Sequence, residues 1–329
     1  MTSRPLRASA FGLAFALLAS TASANEPVTF MIDWLPAGDK AAAYLGVQSG
    51  IFAEAGLDVT IQSGRGSSDV VTKLATGAAD IGTGGLAALL QAKAEGEVPV
   101  TAIASIYTLQ PDAIFTTEGA GIASLGDLVG KKVATATFSS SNVIWPVLLE
   151  ANGIDPDAIQ LIKADPGALA PMLATGQVDA TINWLTVAPV FEGPLGEAGK
   201  TLVTLPWSEM GDEGYGLSLF ASDRMIAEKP EVAKSFVAAY EKAQDAAIAD
   251  PKAAGEALAA MVPEVSAADA ETQFAVSIPL IINAISEKDG KGVFEPGLLA
   301  TTWDWVARAQ GLPADAIDPA KAVDGQFLP

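Results

Sequence analysis

Residues 28–32 form a short apolar run that reads as a strand; Asp33-Trp34-Leu35-Pro36 breaks it, and residues 41–47 follow as a helix stopped at Gly50. Leu57, Val59 and Ile61 then alternate with Asp58, Thr60 and Gln62, the period of a half-buried strand. A second helix is expected to start at Ser67 or Ser68, either of which suits an N-cap, and to stop at Gly77. Asp80-Ile81-Gly82-Thr83-Gly84-Gly85 reads as a third strand entering a glycine-rich turn, with a helix over residues 86–94 and an apolar strand over residues 100–106 behind it. Strands alternating with helices predict a parallel or mixed sheet covered on both faces.

About a hundred residues later the pattern returns. Leu173-Ala174-Thr175-Gly176-Gln177-Val178-Asp179 echoes Leu74-Ala75-Thr76-Gly77-Ala78-Ala79-Asp80, and Glu150-Ala151-Asn152-Gly153-Ile154 echoes Glu54-Ala55-Gly56-Leu57-Asp58. In both copies a helix delivers the chain through a Gly-x-x-Asp step to a short strand, which implies two similar α/β lobes. The first crossing between them is expected at the extended segment Ile114-Phe115-Thr116-Thr117, and the return at residues 216–221. That assigns residues 25–116 and 218–329 to lobe one and 117–217 to lobe two, with two crossings making a hinge. After the return the sequence is mostly helical, with expected helices over residues 230–250, 267–274 and 297–310; Val232, Phe236, Val237 and Tyr240 fall on one stripe of the first.

Ahead of the first strand, Arg4 and Arg7 precede an apolar run over residues 8–18, and Ala22-Ser23-Ala24 supplies a small-residue cleavage site. The apolar run is shorter than the roughly 20 residues that cross a bilayer, so residues 1–24 read as a secretory signal peptide and the product as periplasmic, with no membrane anchor. With 19 basic against 39 acidic residues, the net charge of −20 repels nucleic acid and anionic lipid surfaces. Half of the residues are hydrophobic, which fits a folded chain and not an acidic disordered one.

The sequence has no histidine and no cysteine, which removes the commonest catalytic bases, thiol nucleophiles, disulfides and most transition-metal sites. No Gly-x-Ser-x-Gly elbow, Ser-x-x-Lys pair or phosphate loop is found either, and the lone glycine pattern at 82–85 lacks the partners of a nucleotide motif. No catalytic residue, metal or cofactor is expected.

Asp33-Trp34-Leu35-Pro36, Tyr44, Gly50-Ile51-Phe52, Gly56-Leu57-Asp58-Val59 and the Leu-Ala-Thr-Gly-x-x-Asp step together resemble the sulfonate, nitrate and thiamine-pyrimidine group of periplasmic binding proteins over nearly the whole mature chain. The opening is closest to the branch that binds pyrimidine precursors of thiamine, but Ala37, Gly38, Asp39 and Lys40 stand where that branch usually carries an Asn-rich step and a histidine. The resemblance implies a two-lobed type II binding-protein fold and a monomeric receptor delivering a small molecule to an ABC permease. A fungal branch of the group makes the pyrimidine enzymatically, using histidine and cysteine that this chain lacks.

A cleft between two lobes is lined by loops at the carboxyl ends of strands and by helix N-termini. In lobe one that rule selects Asp33, Trp34, Asp39 and Lys40 after the first strand, Arg65, Ser67 and Ser68 after the second, and Thr83 and Gly84 after the third. In lobe two it selects Ser139 and Ser140 in a strand-to-helix turn, Asn183 and Trp184 after the Asp179 strand, and Tyr215 near the return. The serines double as helix-cap candidates, Trp303 and Trp305 read as packing, and Glu209, Asp212 and Glu213 read as a solvated loop. Aromatics, hydroxyls and carboxylates favour a neutral or cationic planar ligand stacked between rings. Lys40, Arg65 and two helix N-termini leave a sulfonate or nitrate open, and Asp33 with Asp69 leaves a carboxylate-dependent hydrolase open.

Overall fold

The computed structural model describes residues 24–329; the expected export signal, apart from Ala24, lies outside the described residues. Ten strands form two sheets: β1 (Glu26–Ile32), β2 (Leu57–Ser63), β3 (Ile81–Gly85), β4 (Val100–Ser105), β5 (Asp112–Thr117), β6 (Lys132–Ala136), β7 (Gln160–Ala164), β8 (Ala180–Trp184), β9 (Leu202–Pro206) and β10 (Leu217–Ser222). The first sheet has the order β2-β1-β3-β10-β4 and the second β7-β6-β8-β5-β9. The two orders superimpose. In each, the first three strands run parallel and the fourth runs antiparallel to its neighbours.

The repeated Gly-x-x-Asp step does the same work in both halves. Gly77 and Gly176 end their helices with φ of 75° and 70°, a left-handed turn that favours glycine. Three residues on, the Asp80 carboxylate accepts the Thr29 amide at 2.9 Å, and the Asp179 carboxylate accepts the Lys132 amide at 2.8 Å. The backbones reciprocate: Asp80 N–H donates to Thr29 O at 3.0 Å and Asp179 N–H to Lys132 O at 2.9 Å. Each aspartate thereby sets the register of a new strand against its parallel neighbour, β3 against β1 and β8 against β6.

The chain leaves the first sheet after Ser105 and enters the second at Asp112, so the outgoing crossing is the segment 106–111, upstream of the expected Ile114–Thr117. Those four residues are strand β5, whose partners β8 and β9 lie in the second sheet. An apolar extended segment reads alike on either side of a hinge, and only its pairing partners decide which sheet holds it. The return runs between Pro206 and Leu217.

A third connection joins the halves. The helix Pro296–Ala309 packs on both Leu86–Glu95 of the first half and Ser141–Ala151 of the second, burying Trp303 and Trp305 in one continuous core with Trp145 and Trp207. On the other face of the first sheet, the 20-residue helix Pro230–Ala249 buries Phe236, Val237 and Tyr240, with Val232 partly buried beside them. Phe236 lies 4.9 Å from Phe30 and 5.2 Å from Phe52, centroid to centroid. Replacing this fully buried ring by alanine is expected to lower stability by about 3–5 kcal/mol, read by chemical denaturation, because it leaves a cavity among Phe30, Phe52 and Tyr240.

Candidate functional site

Between the two sheets lies a narrow cleft, with about 350 Å3 of space between atoms when counted out to its mouth. Asp33, Trp34, Asp39, Lys40 and Ser67 reach it from the first half, and Ser139, Asn183 and Trp184 from the second, with Gly66 and Val187 completing the wall. Its floor is a buried ion triad. The Lys40 ammonium sits 2.8 Å from Asp33 Oδ1 and 3.2 Å from Asp39 Oδ2, and its side chain is 2% exposed.

Local sequence builds that triad. Asp33 follows the last residue of β1, Pro36 turns the chain, and the 3-10 turn Gly38–Lys40 brings the next two charges back over the first. Gly38 permits the turn to seat against the helix Ala267–Ile281, since a Cβ there would lie 2.1 Å from Ala270 O; its amide donates to Gln273 Oε1 at 2.5 Å. Asp33 is held on every side. Thr83 Oγ1 donates to Oδ1 at 3.0 Å and accepts the Asp33 amide at 3.1 Å, while Ser67 Oγ donates to Oδ2 at 3.4 Å and accepts the Gly85 amide at 2.9 Å. Ser67 therefore ties strands together and does not cap its helix, whose N-cap position is Gly66. Burial alone would pull the Lys40 ammonium down, but Asp33 and Asp39 overcome it and hold Lys40 protonated well above its ordinary range. Around the triad the phenols of Tyr44, Tyr107 and Tyr240 are pushed up by burial and stay neutral, Tyr44 to about 12.

The two tryptophans are exchanged between halves. Trp34 packs against the core cluster of the second sheet around Phe115, Leu169 and Phe191, and Trp184 against that of the first. Trp184 also presents its ring face 5.2 Å from Lys40 Nζ and lies 6.1 Å from the Tyr107 ring. Further contacts join the halves: Thr186 Oγ1 donates to Asp39 Oδ2 at 3.0 Å, and the Ser68 amide to Phe138 O at 3.1 Å. A Cβ on Gly66 would lie 2.3 Å from Phe138 O, and one on Gly85 2.4 Å from Ser140 Oγ, so glycine lets these two edges meet.

Besides the ion-paired Lys40, three polar atoms of the cleft wall are buried without a hydrogen-bond partner, the acceptors Asp39 Oδ1 and Asn183 Oδ1 and the donor Trp184 Nε1; the Asn183 amide nitrogen donates to Thr181 Oγ1 at 2.8 Å. Among the other sequence candidates, Thr83 supports Asp33 from behind, and Gly84 lies within β3 against Phe220. Ser68 and Ser140 are edge contacts, and Arg65 is exposed on the rim with its guanidinium 5.0 Å from the Phe138 ring centroid. Tyr215 is not in the cleft. It is buried, its hydroxyl accepts the Glu295 amide at 2.5 Å and donates to Val293 O at 3.2 Å, and so it fastens the return crossing to the C-terminal helices. Thr186 and Val187 were missed because they sit in a 3-10 turn after β8, where no motif marks them.

Each crossing carries a buried carboxyl. Asp112 opens β5 and accepts a short hydrogen bond from Ser141 Oγ, which in turn lies 2.8 Å from Ser139 Oγ in the cleft. Asp212, expected in a solvated loop, is 1% exposed and neither of its oxygens has a partner. The loop folds inward because its flanking Trp207 and Tyr215 are anchored in the core.

The sequence matches the family described as NMT1/THI5 like over residues 38–254. The chain belongs to the NMT1/THI5-like family. A relative in Candida albicans, 30% identical over 240 residues that cover 70% of each chain, is named 4-amino-5-hydroxymethyl-2-methylpyrimidine phosphate synthase. The riboflavin-binding protein RibY of Chloroflexus aurantiacus is 25% identical over 312 residues, 92% of this chain and 86% of its own. Among solved structures, the alkanesulfonate-binding protein SsuA of Xanthomonas axonopodis pv. citri, bound to MOPS, matches with a TM-score of 0.70 at 17% identity, covering 92% of this chain and 98% of that one. The likeness establishes the two-lobed periplasmic binding-protein fold in this member of the family.

The hinge carboxyls generate a pH prediction. Burial pushes Asp112 up to about 7 against the Ser141 hydrogen bond, and burial with the Asp112 charge pushes Asp212 up as well. The exposed Glu209 and Glu213 are the charged residues beside Asp212 on the return. The folded chain keeps protons that an unfolded carboxyl releases near pH 4, so this contribution is whole below about pH 4 and is lost as pH rises through about 7. Denaturant titrations across that window should show stability falling with pH, by up to about 1.4 kcal/mol per pH unit for each proton retained. Asp212→Asn should flatten the slope, and an unchanged slope would mean the pair does not titrate in the folded chain.

Proposed function

We propose that this chain is the periplasmic substrate-binding component of an ABC importer, which captures one small planar molecule, neutral or cationic, and hands it unchanged to a permease. A pyrimidine-precursor-like heterocycle or an amine fits that description. The observation that carries the reading is a cleft walled by Trp34 and Trp184 in which Asp39 Oδ1 and Asn183 Oδ1 are buried without donors. A buried acceptor left unpaired costs about 1–3 kcal/mol, which a ligand bearing N–H groups recovers while its ring stacks on indole.

The charge arrangement favours this class over a sulfonate or nitrate. The one ammonium in the cleft wall is already engaged by two carboxylates, and Arg65 is on the rim outside it. Catalysis by carboxylates is disfavoured on similar grounds. Asp33 is locked by Lys40, Thr83 and Ser67, and Asp69 is occupied at the rim, where its carboxylate accepts the Arg65 amide at 3.2 Å. With neither histidine nor cysteine, the chain also lacks the side chains that the fungal synthases were expected to use. Export is supported by Arg4, Arg7, the apolar run and Ala22-Ser23-Ala24, and N-terminal sequencing of periplasmic material should begin at Asn25.

In the working cycle the two sheets, with their helices, move as lobes about the segments 106–111 and 207–216, and one monomer suffices. Mass analysis of compounds released from purified protein should return a single species, unchanged on incubation and at most one per chain. Turnover of that species would overturn the receptor reading. In calorimetric titration with the compound, Trp34→Ala and Trp184→Ala should each weaken binding by about 1–3 kcal/mol. Both variants should also melt lower, because each ring packs on the core of the opposite half.

A further inference from the structure

Two carboxylates and the face of an indole around one point are the elements of a primary-ammonium site. The cleft contains that arrangement, built from Asp33, Asp39 and Trp184, but the ammonium inside it is the chain's own. Lys40 follows Asp39 directly, reaches the pocket wall with a side chain 2% exposed, and leaves the two unpartnered acceptors of the enclosure on Asp39 and Asn183.

We propose that Lys40 is a built-in occupant of a cation box in the binding cleft, and that it sets specificity by reserving the cleft for a neutral, N–H-bearing planar ligand. The inference rests on the receptor reading and narrows its ligand class. A ligand ammonium seeking the best position in the cleft finds Nζ already between both carboxylates and beneath the ring. A ligand anion meets an ammonium flanked by two negative charges at 2.8 and 3.2 Å. A neutral donor group meets neither repulsion and completes Asp39 Oδ1 and Asn183 Oδ1, whose other hydrogen-bonding groups are already committed to Thr186, Lys40 and Thr181.

The box can be emptied and refilled. Lys40→Ala removes three methylenes and the ammonium, a group whose outline is that of n-propylammonium. The variant is expected to melt lower than the parent and to be restored, saturably, by n-propylammonium, less by methylammonium, and no more by tetramethylammonium than by sodium chloride at equal ionic strength. Wild-type protein should show none of this selectivity. A folded Lys40→Ala variant whose melt responds to all four salts alike would overturn the proposal. Should that variant not fold on its own, it is expected to fold when n-propylammonium is supplied, and failure to fold with any of the four salts would overturn the proposal.

The ligand class is read separately, from wild-type protein offered equal mixtures of neutral aminopyrimidines, alkylamines and alkanesulfonates. Retention of the neutral class is expected, and preferential retention of an alkylamine or a sulfonate would overturn the specificity role. Retention of nothing, with n-propylammonium rescue intact, would uphold the occupied box and sink the receptor reading instead.

Discussion

One buried ammonium held 2.8 and 3.2 Å from two buried carboxylates constrains this molecule more than any other interaction in it. Moving Asp33, Asp39 and Lys40 out of water is costly, and the cost is offset only while all three are present, with Asp39 Oδ1 left as the lone oxygen of the group that lacks a donor. Removing one partner from such a group typically costs 3–5 kcal/mol. The neighbourhood follows from this. Thr83 and Ser67 exist to finish Asp33, Gly38 exists to let the turn sit against the helix Ala267–Ile281, and Thr186 reaches across from the other half to Asp39. The first loop of the fold is thus pinned by side-chain contacts, and the one oxygen it leaves unpaired, Asp39 Oδ1, joins Asn183 Oδ1 of the other half in favouring hydrogen-bond donors.

The halves are related by more than sequence echo. Each sheet is completed by an antiparallel strand beside a crossing, β10 in the first and β5 in the second; the second sheet is one contiguous stretch of chain, and the first is whole only once the chain has passed through the second and returned as β10. Trp34 and Trp184 repeat that exchange at the level of side chains, each filling a gap in the opposite core. Opening the cleft must therefore withdraw two indoles from apolar surroundings and break the Asp39–Thr186 hydrogen bond. The helix Pro296–Ala309, seated on both halves, limits how far that motion extends. Asp212 lies within the return crossing and Asp112 directly after the outgoing one, and Ser141 and Ser139 link Asp112 to the cleft wall.

Much of this was legible in residue order. The Gly-x-x-Asp echo forecast two like sheets because the glycine turn and the carboxylate–amide clasp are local devices, complete within a few residues and their strand partner. The cleft-wall residues from Asp33 to Lys40 and at Asn183 and Trp184 were reachable by the rule that ligands sit at carboxyl ends of strands. The misplacements have a common cause. Ile114–Thr117 looks like any apolar strand, Ser67 looks like a cap, and Tyr215 looks like a cleft aromatic, until long-range partners are known: β8 and β9 for the first, Asp33 and Gly85 for the second, Val293 and Glu295 for the third. Asp212 failed in the same way, since an acidic loop is solvated unless its flanks are anchored.

The triad also explains why the departure from the expected loop sequence matters. Where relatives were expected to carry an Asn-rich step and a histidine, this chain has Ala37, Gly38, Asp39 and Lys40, and the change is self-consistent. Asp39 alone would add a second buried negative charge beside Asp33, which neither burial nor hydrogen bonding would tolerate ionised. Lys40 alone would place one carboxylate against a buried ammonium with no second acceptor for its remaining protons. Introduced together, with glycine ahead of them to admit the turn, they offset one another's cost and leave a single carboxylate oxygen, Asp39 Oδ1, without a partner. The pair therefore acts as a unit, and the recognition chemistry of the cleft is set by what that unit leaves unsatisfied more than by the charges it contains.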